Sequence, residues 1–541
     1  MVCLKNKIIL TAAIFFIALS SYAQKPGAGI GNQEVIVVKE YEATIQDAQK
    51  INLQPNIPEI AETKPKLDYT IPTKEFKDIA FEANPLKPLA VSKELLEKYN
   101  TSFVKIGFGS QLSPLVQLAY NDAKTKNLKF GIFYNHLSAY GFAIKNMRFS
   151  DDQPGVYLKY FPKTVEIGTD FTFRNYRTHF YGGDGSTFLE KDVRQVFRTY
   201  DALVYIKNAQ KNKADIDIKQ TLNFNYFQET YGQSKEWFVA GRTDFQKAFL
   251  QYHAITASFN FDVSQLNYTG VSLQRNIFTP MVGYSFNNDD WKAHANFGLA
   301  IDGTKPIFAS DIYLHKRLYE HAIIAYASYT RNDQKNSLNS FAQTNNFIQN
   351  TININNSTVG DFGIGVKGTA SDFSYNMAFH LMQDINLALF INDSTDMKRF
   401  VVVYDPNTFI YNAHIEGGYN VKEWLRLLLI ADYDYYHLKT QQYAWHEPNF
   451  KATLRANYVW KNKISVNFDL FGITGSYARL PNNQSTKLNG TADINIALEY
   501  LFNKHLSFFI MGNNLAHIKY QQYYLYPNYG INGVLGGKFS F

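Results

Sequence analysis

The sequence is almost free of cysteine. The single one, Cys3, precedes an apolar run over residues 8–19 and a group of small residues that closes on Ala23. Together with two lysines ahead of the run, this pattern predicts a secretory signal peptide, residues 1–23. The run is too short for a membrane-spanning helix, which needs roughly 20 residues. The mature chain would then contain no thiol, and this excludes disulfides, thiolate nucleophiles and cysteine metal ligands.

Long apolar runs and a strong charge are also missing. Beyond residue 23 no run reaches 18 apolar residues, which excludes a helical membrane protein. The formal net charge of +7 is small for 541 residues and gives no indication of nucleic-acid binding. The twelve histidines occur singly, without HExxH or His-x-His spacing, so the sequence predicts no metal site and no cofactor.

Aromatic residues are abundant, and the chain alternates between polar and apolar positions. Phe, Tyr and Trp make up 16% of the sequence. From about residue 101 onward the alternation has the period of β-strands, as in 214–226, 253–266 and 491–502. One face of each strand is therefore apolar and the other polar. A soluble β-sandwich would show the same pattern, so further features must identify the solvent.

The connections between the strands distinguish the two possibilities. Ten short ones lie at 121–127, 161–164, 208–213, 249–253, 287–290, 319–321, 369–372, 420–424, 460–463 and 502–505. Longer, more polar connections such as 182–195, 332–358 and 441–449 lie between them. Short turns at one rim and long loops at the other are typical of bacterial outer-membrane barrels. Ten inner turns, with both chain ends at the same rim, predict 22 strands.

The tryptophans and the sheet edges support a membrane barrel. Trp291, Trp424 and Trp460 lie beside predicted short turns, and Trp237 and Trp445 beside predicted long loops. Amphipathic rings prefer the membrane interface. Closing the sheet removes its unpaired edges. We therefore predict an all-β protein, a transmembrane antiparallel β-barrel over residues 101–541, which contacts the lipid of a Gram-negative outer membrane.

The chain ends on an alternating segment, GINGVLGGKFSF, whose last residue is aromatic. Gly536, Phe539 and Phe541 place one glycine and two predicted lipid-facing aromatic residues on the closing strand. This pattern resembles the C-terminal signal that the outer-membrane insertion machinery reads. We expect that machinery to be a partner during biogenesis.

The final hairpin resembles a known family. The segment LSFFIMGNNLAHIKYQQYYLYPNYGINGVLGGKFSF, residues 506–541, is similar to the last hairpin of TonB-dependent receptor barrels. The resemblance implies the same barrel architecture. Those receptors carry a globular plug inside the barrel, whereas residues 24–100 hold seven of the chain's 16 prolines. A segment so rich in proline is unsuited to a plug sheet. We therefore predict a plugless, receptor-like barrel with a Pro-rich periplasmic leader, residues 24–100.

The leader contains one Val-rich run, EVIVVKEY, at residues 34–41. In the receptor family a TonB box would lie at this place and would act by adding a strand to its partner. Alternatively, the run lies against the periplasmic mouth of its own barrel. The leader is also the segment that we expect to contact any periplasmic or outer-membrane protein partner.

Nine charged residues on the polar face of three strands are the candidate site residues. They are predicted to face the lumen and comprise Glu166, Asp170, Arg174, Asp215, Asp217, Lys219, Arg426, Asp432 and Asp434. Either they line a solute path and set its charge preference, or neighbouring strands and the leader satisfy them. No catalytic residues are predicted, because the grouping of His179, Asp184 and Ser186 is a coincidence that any long sequence offers.

Two functions fit these predictions, and neither is enzymatic. The first is a transport-type barrel that passes or captures a solute across the outer membrane. The second is an accessory or structural barrel that belongs to an envelope complex, such as the machinery that inserts or exports outer-membrane proteins. A missing plug favours the second function, whereas the wide lumen and the receptor-like closing strand favour the first.

Overall fold

The computed structural model describes residues 102–541, except 123–124, 126, 143, 184–187, 211, 269, 304 and 350–352. The predicted signal peptide, the Pro-rich leader and its Val-rich run lie outside the described residues. No helix in the described part of the chain is long and apolar enough to cross a membrane. The two helices found there, Glu190–Val193 and Leu338–Thr344, are short and lie in loops.

Twenty-two antiparallel strands form one closed sheet. In chain order they are β1 Phe103–Gly109, β2 Ser113–Asn121, β3 Leu128–Ala139, β4 Phe149–Tyr160, β5 Val165–His179, β6 Arg194–Asn208, β7 Ile216–Glu229, β8 Lys235–Leu250, β9 His253–Tyr268, β10 Val271–Asn287, β11 Trp291–Asp302, β12 Lys305–Tyr319, β13 Ile323–Gln334, β14 Ser357–Ala370, β15 Phe373–Ile385, β18 Thr408–Lys422, β19 Leu425–His437, β20 Phe450–Trp460, β21 Ile464–Ile473, β24 Thr491–Leu501, β25 Leu506–Asn513 and β28 Asn532–Ser540. Three small hairpins lie in the loops: β16 Leu387–Asn392 with β17 Phe400–Asp405, β22 Tyr477–Arg479 with β23 Ser485–Lys487, and β26 Gln521–Tyr523 with β27 Tyr526–Pro527.

The first and last strands close the ring. β1 and β28 are antiparallel, from Phe103 opposite Ser540 to Gly109 opposite Val534. The seam continues one residue further, because the amide of Phe541 donates to the carbonyl of Ser102 at 2.9 Å. A barrel closed in this way has no unpaired edge strand. The predicted 22-stranded antiparallel barrel is thereby confirmed.

The two rims differ in their connections. All ten predicted short connections coincide with turns at the rim that also holds the start of β1 and the end of β28. Eleven connections lie at the opposite rim. Four of these, β1–β2, β7–β8, β9–β10 and β11–β12, are also short, so long loops do not surround the whole outer rim. The long connections come chiefly from the second half of the ring.

The outer wall of the barrel carries an apolar belt. Ile106 is 57% exposed, Val282 67% and Leu535 66%, all on the strand face opposite the polar side chains. Exposed apolar surface on this scale is stable only in lipid, where a closed barrel also satisfies every backbone group. The protein is therefore an outer-membrane β-barrel.

Four of the five tryptophans lie at strand ends, and one does not. Trp291 and Trp460 begin and end barrel strands at the inner rim, and Trp424 lies in the turn before β19. Trp237 is the third residue of β8, at the outer rim. Trp445, in contrast, lies inside the loop 438–449 and is only 3% exposed. The prediction that Trp445 anchors a strand end at the membrane interface is therefore wrong, because the ring packs inside a folded loop assembly.

Candidate functional site at the outer mouth

Five outer connections pack together at the outer mouth of the barrel. They are 180–193, 335–356, 386–407, 438–449 and 514–531, and we call them the cap. The cap includes both helices and the hairpins β16–β17 and β26–β27. Its buried side chains form two apolar clusters, the larger of which also includes Phe227 of β7 and Leu266 of β9.

The helix Leu338–Thr344 forms because the sequence caps its first turn. The Ser337 hydroxyl accepts from the amide of Ser340 at 2.9 Å, and the Ser340 hydroxyl accepts from the amide of Ser337 at 2.9 Å. This reciprocal arrangement is a capping box, which satisfies backbone donors that a helix start leaves free. The helix then buries Leu338 and Phe341 in the cap. A connection predicted only as an Asn-rich loop thus has its own folded core.

Aromatic stacking joins three of the connections at one point. Phe347 of 335–356 stacks on Tyr526 of 514–531, with the ring centroids 3.5 Å apart. Tyr181 of 180–193 meets Tyr526 edge to face at 4.9 Å. These connections leave the barrel after β13, β25 and β5, which lie at separate places on the ring. The cap therefore crosses the outer opening.

A buried ion pair attaches the cap to the barrel wall. Glu236 of β8 and Arg275 of β10 pair at 3.0 Å, and their side chains are 0% and 8% exposed. The second carboxylate oxygen of Glu236 accepts from the amide of Asn339 in the cap helix at 3.1 Å. Removing one member of such a pair would leave a buried charge without its partner, which is costly. The helix is thus fixed to the wall through Glu236.

A second attachment lies close by. Lys335, at the start of the cap, donates to Asp262 of β9 at 2.6 Å. Its ammonium also lies 3.7 Å from the ring centroid of Phe238. Burial lowers the pKa of Lys335, although the Asp262 carboxylate opposes the shift. The lysine thus joins the cap to two neighbouring strands.

A buried carboxylate holds the β16–β17 hairpin against the loop 438–449. Asp405, the last residue of β17, accepts from the backbone amides of Lys439, Thr440 and Gln441 at 2.7 to 3.1 Å. Burial alone would raise the pKa of Asp405, but these donors outweigh it and the pKa is lowered. The ionised carboxylate therefore joins two parts of the cap.

Two titratable residues of the cap are buried next to each other. The Nδ1 atom of His446 lies 3.0 Å from the carbonyl oxygen of Phe390, to which it can donate. Burial lowers the pKa of His446 to about 4, so the imidazole is neutral at pH 7. Burial raises the pKa of Glu447 well above its usual value. Among the described residues, no cluster of three or more His, Cys, Asp or Glu side chains could hold a metal ion.

The predicted charged residues of β5 and β7 meet through β6. Glu166 accepts from the Tyr205 hydroxyl at 2.7 Å and pairs with Lys207 at 3.0 Å. Lys207 is directly opposite Lys219 of β7. Arg174, nearer the outer rim, forms a bidentate pair with Asp151 of β4, at 2.9 and 2.8 Å.

The other predicted residues lie apart from this row. Asp170 is opposite Tyr157 and Leu203 on the same face. Asp217 is the second residue of β7, whereas Asp215 lies in the turn before the strand, with φ of 50°. No single site therefore contains all of the predicted residues of β5 and β7.

The predicted residues of β19 lie elsewhere on the ring. Asp432 pairs with His414 of β18 at 2.8 Å, and Asp434 accepts from the Asn412 amide at 2.8 Å. Arg426 is opposite Asn420 and Asn457, close to the inner rim. Many of the polar side chains on this face are thus paired across neighbouring strands.

The sequence did not reveal the cap. Its only signal was the set of tyrosines before the closing strand, in HIKYQQYYLYPNYG. Two of them, Tyr523 and Tyr526, pack in the largest buried cluster of the described residues. Of the catalytic coincidence, His179 is 1% exposed and Asp184 and Ser186 lie outside the described residues.

No protein-family model matches the chain, and no curated protein sequence matches it. The structure, however, is similar to solved outer-membrane receptors. The ferric-catecholate import receptor Fiu of E. coli K12 aligns with a TM-score of 0.63 at 11% identity, over 82% of each chain. The FrpB iron transporter of Neisseria meningitidis aligns with a TM-score of 0.66 at 8% identity, over 82% of this chain and 83% of FrpB. The pyoverdine receptor FpvA of Pseudomonas aeruginosa PAO1, bound to pyoverdine, aligns with a TM-score of 0.61 at 12% identity. The alignment covers 82% of this chain and 78% of FpvA.

These similarities support the architecture that the closing hairpin implied. At 8 to 12% identity they show the fold and nothing finer. The chain has the 22-stranded barrel fold of outer-membrane receptors and transporters.

Proposed function

We propose that the protein is a receptor-type barrel that captures a solute at its capped outer mouth and passes it through the lumen. The observation that carries the proposal is the cap above a polar, 22-stranded lumen. Side chains alone cannot fill a lumen of this size. The cap therefore guards a space wide enough for a solute. Similarity of fold to Fiu and FrpB supports this function.

The lumen favours no one sign of charge. Its ion pairs join opposite charges on neighbouring strands, as in Glu166–Lys207 and Arg455–Asp469. Arg174 and Asp151 form a third pair of this kind. Such pairs present hydrogen-bonding groups without a strong net field. We infer that the solute is polar and is not selected as an anion or a cation.

We also propose that no globular plug fills the lumen and that the Pro-rich leader contacts the periplasmic mouth of the barrel. The composition of residues 24–100 supports this arrangement, because a segment with seven prolines forms few internal hydrogen bonds and takes them from a neighbouring surface. The Val-rich run at 34–41 supplies a strand-forming segment for that contact.

Ion conductance in planar bilayers tests the proposal. The full-length chain should conduct weakly, because the cap closes the outer mouth. A variant in which residues 336–355 are replaced by a short Gly-Ser linker should conduct strongly, because the cap loses its helix. A matched control replaces the hairpin tip 481–484, which is outside the cap, and should behave like the wild type. If the variant with the shortened cap stayed silent, the lumen would be closed elsewhere and the transport proposal would fail.

One observation favours the alternative, an accessory barrel that passes no solute. The larger cluster of the cap buries fourteen side chains, including Phe180, Phe390 and Phe400. Burying one such side chain contributes about 1.5–3 kcal/mol, so the cap does not separate spontaneously as a whole. A permanently closed barrel would serve as a structural subunit. Gentle purification from native membranes should then recover a stoichiometric protein partner, and truncating residues 24–100 should release it if the leader holds it.

A further inference from the structure

Ser138, His136 and Asp152 form a hydrogen-bonded chain near the outer rim of β3 and β4. The Nδ1 atom of His136 lies 2.7 Å from Oδ1 of Asp152, which is directly opposite on β4. The Nε2 atom of His136 lies 3.1 Å from the Oγ atom of Ser138, two residues further along β3. With its proton on Nδ1, the imidazole donates to Asp152 and accepts from the hydroxyl of Ser138. Nucleophile, base and orienting carboxylate follow one another in this order in enzymes of acyl transfer.

Two further hydroxyl groups hold the Asp152 carboxylate in place. The Tyr134 hydroxyl donates to Oδ1 at 3.0 Å, and the Ser150 hydroxyl donates to Oδ2 at 3.3 Å. Each oxygen of the carboxylate therefore has a hydroxyl donor, and Oδ1 also faces His136. A carboxylate fixed in this way keeps the imidazole in one orientation and stabilises the imidazolium that forms when the base takes a proton.

The serine distinguishes this group from the other histidine–aspartate pairs of the barrel. Three such pairs join neighbouring strands on the luminal face at 2.8 to 3.1 Å, namely His294–Asp311, His380–Asp361 and His414–Asp432. In the described part of the chain, no serine hydroxyl is hydrogen-bonded to the second ring nitrogen of these three histidines. Only a serine at that nitrogen turns an ion pair into an activated nucleophile.

The group lies on the lipid-facing side of the wall. Ile132, on the same face of β3 as His136 and Ser138, is 53% exposed in the apolar belt. Val156, on the same face of β4 as Asp152, is 45% exposed. Two residues beyond Ile132 comes Tyr134, an aromatic residue with a polar tip, which suits the membrane interface. The Ser138 hydroxyl is therefore just beyond the hydrocarbon, on the outer side of the membrane.

A pocket of about 190 Å³ opens beside Ser138. Tyr140, which is 51% exposed, gives it an apolar wall, and Arg177 lines it as well. Glu190, the acidic residue of the lining, is paired with Arg148 at 3.0 Å. The guanidinium of Arg177 thus supplies positive charge in the pocket of the nucleophile, where an oxyanion develops during acyl transfer.

We propose that Ser138, His136 and Asp152 hydrolyse acyl esters of outer-leaflet lipids, an activity separate from the passage of a solute. His136 takes the hydroxyl proton while Oγ of Ser138 attacks the ester carbonyl carbon, and Arg177 stabilises the oxyanion. The bond to the alcohol oxygen then breaks, this oxygen leaves with the proton from His136, and the acyl group stays on Ser138. Water, deprotonated by His136, attacks the acyl carbon, and the bond to Oγ breaks as Oγ regains a proton. The products are a fatty acid and a lysolipid.

The position of the serine on the wall selects the substrate. The ester bonds of a membrane lipid lie between its headgroup and its hydrocarbon, which is the level of Ser138. The acyl chain then lies along the apolar belt at Ile132 and Val156, and the headgroup lies at the pocket. A soluble ester would make no use of the belt.

Release of fatty acid from a diacyl phosphatidylethanolamine in mixed detergent micelles tests the proposal on the purified full-length protein. The wild type should release fatty acid, and Ser138→Ala and His136→Ala should each lower the rate at least about a hundredfold. His380→Ala is the matched control, because it breaks a similar pair with Asp361 in the lumen, and it should behave like the wild type. No release by the folded wild type, or equal release by Ser138→Ala, would overturn the proposal.

Covalent labelling separates an activated serine of this chain from a contaminating lipase. A fluorophosphonate with a long alkyl chain loses fluoride to an activated hydroxyl, and it should label the wild type at Ser138. Ser138→Ala and His136→Ala should stay unlabelled, while heat-modifiable gel mobility shows that both variants fold. Label on another serine, or no label, would contradict the assigned nucleophile. Hydrolysis of p-nitrophenyl acetate but of no diacyl lipid would overturn the lipid substrate.

Discussion

Gly107 of β1 lies directly opposite Gly536 of β28, at the seam where the barrel closes. The ring of Phe509 from β25 covers both, since a Cβ atom built on Gly107 or Gly536 would lie 2.8 or 2.7 Å from it. A Cβ atom on Gly536 would also lie 2.0 Å from the carbonyl oxygen of Ile106, which is backbone and cannot move aside. The seam therefore closes only because both positions lack a side chain.

We predict that Gly536→Ala prevents or strongly weakens closure of the barrel, because its methyl group would displace β1. The amount of heat-modifiable protein in the outer membrane measures closure. Gly537→Ala is the matched control, since its Cβ atom would have only ordinary contacts, the nearest at 3.7 Å. Normal yield of Gly536→Ala would show that β1 and β28 can separate enough to accept a side chain.

The closing aromatic residues should govern membrane insertion. Phe539 and Phe541 are each 50% exposed on the lipid side of β28. We predict that Phe541→Ser, and more strongly deletion of residues 539–541, lowers the amount of folded barrel in the outer membrane. Phe502→Ser is the control, because Phe502 is an aromatic residue at the same rim that is 60% exposed but lies in a turn. If both substitutions lowered the amount of folded barrel equally, insertion would depend on any exposed aromatic residue and not on a terminal signal.

Loss of the Glu236 carboxylate should loosen the cap. Glu236→Ala would leave Arg275 buried without its partner and would free the cap helix, at a cost of about 3–5 kcal/mol. We expect faster proteolysis of residues 335–356 in intact cells and noisier conductance in bilayers. Asp244→Ala on the same strand is the control, because its pair with Arg242 is largely exposed and contributes little. Unchanged proteolysis in Glu236→Ala would show that the apolar cluster alone holds the helix.

The stability of the cap should depend on pH through two opposing groups. The pKa of His446 is lowered to about 4 in the fold. Its contribution to the stability of the cap is therefore lost as the pH falls from about 6.5 towards 4. The pKa of Glu447 is raised. Its contribution to the stability of the cap is therefore lost as the pH rises and is regained in acid. The two effects should oppose each other in the wild type between pH 6.5 and 4.5.

Single substitutions should reveal each effect. With Glu447→Gln the cap should lose about 2–3 kcal/mol over this range on acidification, because only His446 then titrates. With His446→Gln the cap should gain stability over the same range. Hydrogen exchange of the amides in 438–449 measures both changes. The same pH dependence in both variants would contradict the assignment.

Much of the barrel was predictable, because its determinants are local. Alternation of polar and apolar residues and ten turn signals were enough for the strand number, since each strand must cross the same membrane. The cap was not predictable, because its determinants are not local. Phe347 and Tyr526 stack although they are far apart in sequence, and neither lies in a periodic segment. Loops that fold on one another leave no local period, so the Asn-rich connection and the tyrosines before β28 were recognised only as loop and rim.

The arrangement of the candidate charged residues was predictable only in part. Strand period assigns Glu166, Arg174 and Asp432 to the face opposite the apolar belt. It did not indicate that each would have a partner on the next strand, at a distance of 2.7 to 2.8 Å. Pairing depends on the relative stagger of neighbouring strands, which a single sequence does not contain. Whether these pairs line a solute path stays a prediction.

The unequal lengths of the strands give the ring one mechanically weak arc. The ladder between β1 and β28 joins seven residue pairs and that between β24 and β25 six, whereas that between β9 and β10 joins sixteen. Under lateral tension, or when heat begins to open the ring, fewer hydrogen bonds must break in the short ladders than in the long one. The barrel should therefore open and reseal within the arc around its seam, and the long strands on the far side should stay paired.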